Sequence, residues 1–124
     1  MTRRAALGLA LVGFLALACP EVIRNKVVYT PLPAAQSSTI TLKEKVRVTG
    51  QAGDGQTLPA GSVWRRAGAV DAGEVYKRTD GPFILESQNA HEAYMVVKDG
   101  EIVGFYLPGE SAFAPASRAV PLPP

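Results

Sequence analysis

The stretch "YMVVKDGEIVGFYLP" limits the possible folds of this chain more than any other. Asp99-Gly100 stands between two apolar runs, and this dipeptide is among the strongest short-range signals for a two-residue β-hairpin. An unbroken register pairs Lys98 with Glu101 as a surface ion pair. It puts Tyr94, Val96, Val103, Phe105 and Leu107 on one side. Met95, Val97, Ile102 and Tyr106 fall on the other, with Gly104 opposite Met95. Both sides are apolar, so the hairpin is central in its domain or covered by a partner. Gly104 in mid-strand predicts a bulge or the close approach of another segment.

The neighbouring sequence has the same period. In "STITLKEKVRV", Ile40, Leu42, Val46 and Val48 alternate with Thr39, Thr41, Lys43, Lys45 and Arg47, an apolar side and a basic side. Glu44 interrupts the apolar side and predicts a bulge, a strand break or a buried ion pair. Further short strands are expected at residues 63–66, 74–78, 83–87, 91–97 and 101–107. Turns at Asp80-Gly81-Pro82, Gln88-Asn89 and Asp99-Gly100 separate the later ones. No stretch past the first eighteen residues has a 3.6-residue apolar stripe, and no repeat at solenoid spacing is visible. The expected class is all-β: a small antiparallel meander closing into a barrel or sandwich, with an N-terminal signal helix and Pro-rich tails.

The first eighteen residues form a leader. Arg3 and Arg4 precede fourteen residues, Ala5 to Ala18, without a charge. A membrane-spanning helix needs about 20 apolar residues, so a run this short matches the apolar region of a signal peptide. Ala16-Leu17-Ala18 is an A-x-A cleavage site, and Cys19, the one cysteine in the chain, follows it. Basic start, apolar run, small residue and cysteine together resemble the lipobox of bacterial lipoproteins. The match covers residues 2–19 and departs from the commonest pattern in having Ala16-Leu17, where Leu then Ala or Ser is usual. The resemblance implies a diacylglyceryl thioether on Cys19, which becomes the new N-terminus, and a domain held in the periplasm or at the cell surface. It also implies that Pro20 bears on sorting between inner and outer membrane. An anchor role suits a solitary cysteine. A disulfide needs a second cysteine, a thiolate catalyst needs a base beside it, and a zinc site needs more ligands than Cys19 and His91 supply. Two or more acyl chains hold stably at a bilayer, at ~0.8 kcal/mol per buried CH2.

Removing the leader changes the composition. The net charge of +2 includes Arg3 and Arg4, so from Cys19 onward 13 − 2 = 11 basic side chains face 11 acidic ones. That balance excludes a nucleic-acid binder built on bulk positive charge. The remaining 124 − 18 = 106 residues suffice for one small domain. The expected division is a lipidated N-terminus and tether over 19–37, a compact β domain over 38–112, and a Pro-rich C-terminal tail over 113–124. The tether, fully extended at ~3.3 Å per residue, reaches about 60 Å, unless Val27-Val28-Tyr29 pairs as an edge strand. The tail holds four of the ten prolines and favours extended polyproline II or a disordered terminus.

Catalytic signatures are absent from the sequence. His91 and Glu92 are adjacent in a strand and point to opposite sides, so they do not form a base and its orienter. There is no nucleophile elbow, phosphate loop, His-Glu-x-x-His or calcium loop. Glu86 and Glu92, or His91, are the candidate centre of a small hydrolase, with no spacing that pairs them. Neither cofactor nor metal is expected. The candidate partner-binding residues are Trp64, Arg65 and Arg66, beside Lys43, Lys45 and Arg47, together with Tyr106 of the hairpin. The sequence thus points to a lipid-anchored envelope protein. Its β domain is expected to bind another envelope protein or a cell-wall component without catalysis, as an accessory subunit or as an inhibitor or immunity lipoprotein of a hydrolase.

Overall fold

The structure is a computed structural model that describes residues 21–124. The leader, Cys19 and Pro20 lie outside the described residues, and no helix among those described is long and apolar enough to cross a membrane. The fold is all-β. Its strands are β1 (Asn25–Lys26), β2 (Thr30–Pro31), β3 (Thr39–Thr41), β4 (Val46–Thr49), β5 (Gly55–Leu58), β6 (Val63–Val70), β7 (Gly73–Arg78), β8 (Ile84–Leu85), β9 (His91–Glu92), β10 (Tyr94–Lys98), β11 (Glu101–Leu107) and β12 (Ala112–Pro121), with a 3-10 turn at Ala34–Gln36. The main sheet is antiparallel, in the order β1-β12-β11-β10-β7-β6-β2, and β3 also pairs with β6. Two small sheets, β4-β5 and β8-β9, complete the domain.

The Asp99-Gly100 turn forms as expected, with positive φ at both residues (52° and 78°) and Lys98 opposite Glu101. The unbroken register does not hold beyond Val97 and Ile102. A bulge leaves Val103 unpaired, so that Val96 faces Gly104, Met95 faces Phe105 and Tyr94 faces Tyr106. One extra residue in a period of two sends every later side chain of that strand to the other face. Phe105 and Leu107 thus join Met95, Val97 and Ile102 in the main core, while Tyr106 joins Val96 on the second face. Gly104 permits this close approach: a Cβ there would run into the Ala114 carbonyl oxygen and lie 2.9 Å from the Phe113 ring.

Both faces are covered. On one, Trp64, Met95, Ile102, Phe105 and Leu107 pack against Leu42, Val46, Val48, Leu58, Phe83 and Leu85. The Phe83 ring sits between Trp64 (centroids 5.6 Å apart) and Phe105 (5.7 Å). On the other, Val70, Val75, Val96 and Tyr106 are covered by Val27, Tyr29 and Phe113. The expected alternating strand of residues 39–48 breaks after Leu42: β3 pairs with β6, β4 pairs with β5, and Glu44 lies exposed between them. Leu42, Val46 and Val48 nevertheless point inward, as their period requires.

The two terminal segments differ from the expectation. Residues 113–124 are mostly not a free polyproline tail, since Ala112–Pro121 is the longest strand and pairs with β11 over residues 112–115 and again at Val120 and Pro121, on either side of an irregular stretch. Its prolines 115 and 121 lie beyond the two residues that β1 pairs, near the sheet edge where proline is tolerated. Residues 21–37 are not a long tether either. Val22 is buried in the main core, β1 pairs with β12, and β2 pairs with β6 at the opposite edge of the sheet. Lys26 to Thr30 span at most ~14 Å, whereas the six strand spacings between β1 and β2 amount to about 29 Å in a flat sheet. The sheet is therefore strongly curled, and Val27–Tyr29 strap its two edges together. Tyr29 stacks on Tyr106 (4.7 Å, 13° between planes) and its hydroxyl donates to the Ala67 carbonyl at 2.8 Å. Burial pushes the Tyr29 phenol above the ordinary tyrosine range, with Tyr94 and Tyr106 adding to it. Gly68 leaves room for the strap, because a Cβ there would lie 2.5 Å from the Tyr29 ring and from the Thr30 carbonyl.

Candidate functional site

The densest group of polar side chains lies where the described chain begins. Val22, held in the core, brings Glu21 against the β8–β9 connection and the β11–β12 turn. One Glu21 oxygen accepts from the Ser87 hydroxyl (2.7 Å), and the other from the Asn89 amide (2.9 Å). His91 Nε2 lies 3.3 Å from Glu21 Oε2, and His91 Nδ1 lies 2.6 Å from Glu110 Oε2. Arg24 closes the ring, with Nε 2.5 Å from Glu110 and Nη1 3.5 Å from Glu21. The His91 side chain is only 10% exposed. The Ser87 and Asn89 donors, with the Val22 N–H and His91, hold the Glu21 carboxyl far below the ordinary carboxylate range, against an opposing effect of desolvation.

This geometry describes a clamp. A neutral imidazole carries one N–H, so His91 donates to both carboxylates only as the imidazolium. Both ring nitrogens of His91 face a carboxylate oxygen, so neither is open to a substrate. Ser87 touches the Glu21 carboxylate, so the carboxylate separates hydroxyl from imidazole. Nucleophilic catalysis needs the opposite order, with the base between hydroxyl and carboxylate. Glu86 and Glu92 are exposed and share no hydrogen bond or ion pair with each other or with His91. Among the described residues no group of three His, Cys, Asp or Glu side chains is placed to hold a metal ion.

The basic-aromatic patch is dispersed by the fold. Trp64 is fully buried, and its Nε1 donates to Ser62 Oγ at 2.9 Å, so it supports the core and offers no binding surface. Tyr106 is likewise buried, under Tyr29. The cause is the same for both: two-sided sheets consume the aromatic side chains of both faces. Arg66 pairs with Glu74 (3.2 Å), and its Nε is buried without a hydrogen-bond partner. Arg65, Lys43 and Lys45 are exposed.

A different pair of cations shares one cleft. Arg47 of β4 and Arg118 of β12, with Thr49, Ser117 and Val120, line a depression of about 490 Å3. The two strands meet there through the bridge between Gly50 and Ala116 and through the Ser117 hydroxyl, which donates to the Thr49 carbonyl at 3.1 Å. Among the described residues neither arginine is in an ion pair. Arg47 was visible as part of the basic side of its strand. Arg118 lies in the stretch whose prolines suggest a free tail, so only the pairing of β12 makes the cleft legible. No family model, curated protein or solved structure matches this chain.

Proposed function

We propose that this protein is a lipid-anchored component of the bacterial cell envelope, whose small β domain binds an acidic surface of another envelope protein without catalysing a reaction. The observation that carries the binding reading is the Arg47–Arg118 cleft. Two guanidiniums without an internal ion pair, Arg47 held only by a 3.3 Å hydrogen bond to the Thr57 hydroxyl, are suited to bidentate pairing with carboxylates. The hydrolase alternative loses support from the clamp, in which both imidazole nitrogens of His91 are already engaged. The anchor rests on Cys19 and the leader before it.

The test has two arms. Palmitate labelling in cells is expected for the wild type and absent in Cys19→Ala; equal labelling, or none in either, removes the anchor. Crosslinking of the tagged protein in its own cells is expected to capture an envelope protein, and capture is expected to drop in the double variant Arg47→Glu/Arg118→Glu. Unchanged capture by that variant refutes the cleft as the binding site.

A further inference from the structure

The clamp on Glu21 has a geometric consequence for a chain anchored at Cys19. Only Pro20 separates the two residues, so their Cα atoms lie at most ~7 Å apart. A headgroup layer is of similar depth, about 5–8 Å per leaflet. Glu21 is fixed by Ser87, Asn89 and His91, and Val22 is buried in the core. The domain therefore has no slack with which to leave the surface.

We propose that the domain stands directly on the lipid headgroups in one orientation, with the clamp end against the bilayer. This deepens the lipid-anchor reading and rests on it. The contacting end comprises Glu21, Ile23, the Ser87–Ala90 connection and the β11–β12 turn around Glu110. Ile23 is 45% exposed at this end, an apolar side chain suited to the headgroup boundary. The clamp's two carboxylates are turned inward onto Arg24, Ser87, Asn89 and His91, so they are engaged within the domain. The opposite end holds the Asp99-Gly100 turn and the β6–β7 turn at Asp71, since Gly73 packs beside Val97 and Lys98. β11 runs the seven residues between the two ends, about 23 Å at ~3.3 Å per residue. The Arg47–Arg118 cleft opens beside mid-β12, on the flank, where a partner reaches it without displacing lipid.

The experiment uses the full-length, processed protein reconstituted in phosphatidylethanolamine/phosphatidylglycerol vesicles. A fluorophore is placed at Ile23→Cys or at Asp71→Cys, with quencher attached to the lipid headgroups. Strong quenching is expected at Ile23 and none at Asp71. A twelve-residue Gly/Ser insertion between Pro20 and Glu21 is expected to abolish the difference while vesicle flotation persists. Equal quenching at the two sites in a protein that floats with vesicles overturns the orientation and leaves the anchor standing. A difference that survives the insertion overturns the role of the short connection. A processed protein that does not float, or floats equally as Cys19→Ala, removes the anchor reading and this inference with it.

Discussion

The β10–β11 hairpin and the segment from Glu21 to Pro31 lie on the same sheet but are specified in different ways. The hairpin is built from contacts between neighbours in sequence, and a two-residue turn with positive φ sets its first pairs. The N-terminal segment forms no strand pair with its neighbours in sequence. The partners that fix it to the domain include Phe113, Ala69, Ala67, His91 and Glu110, all at least 36 residues away. The first is a local code that a reader of the sequence can follow. The second exists only because the sheet curls until a three-residue strap joins its edges.

Predictions that would break or sharpen this contrast follow from the contacts. Gly104→Val should be the most damaging change, because the added side chain meets the Ala114 carbonyl and the Phe113 ring in a backbone conformation that favours glycine. Overpacking and backbone strain together imply a loss of about 3 kcal/mol or more, read as a large fall in Tm. A Tm unchanged from wild type would mean that the hairpin tolerates the regular register.

Tyr29→Ala should destabilise by about 2 kcal/mol, below the range for a fully buried aromatic because Tyr29 is only partly buried. Denaturant unfolding checks it, and hydrogen exchange should rise first at β1 and β2. A loss confined to a few tenths of a kcal/mol would mean that the strap is dispensable.

The clamp predicts a pH dependence. Glu21 stays charged in the folded state at pH values where the unfolded chain has already taken up the proton. Its contribution is therefore complete above the ordinary carboxylate range and is lost as pH falls toward the depressed folded-state value. Tm should drop on acidification more steeply in the wild type than in Glu21→Gln. Parallel curves would show that Ser87, Asn89 and His91 do not stabilise the charged carboxylate.

Lys98→Ala should have the smallest effect, about 0.5 kcal/mol or less by thermal unfolding, since Lys98 and Glu101 face each other exposed beside the turn and form no ion pair within 4 Å. A larger loss would give the surface pair a share of the specificity assigned here to the turn.

Leu42, Val46 and Val48 show how far a period-two pattern carries: all three point inward, even though their strand breaks at Glu44. Trp64 and Tyr106 show where it fails. An aromatic beside arginines has the composition of a binding patch, and no local signal says that the fold will bury it. The clamp was equally hidden. His91, Glu21 and Glu110 lie in three separate parts of the chain, and no spacing rule joins them.

Local chemistry by itself determined the all-β class, the Asp99-Gly100 turn with its first pairs and the inward sides of the alternating strands. Turn geometry and side-chain period act over a few residues, so they can be read in one dimension. Only the tertiary structure decided the register beyond Val97, the capture of both terminal segments by the sheet, the His91 clamp and the Arg47–Arg118 cleft. Each depends on which distant segments the curled sheet brings within a few ångströms, and one bulged residue at Val103 is enough to exchange the faces on which those segments meet.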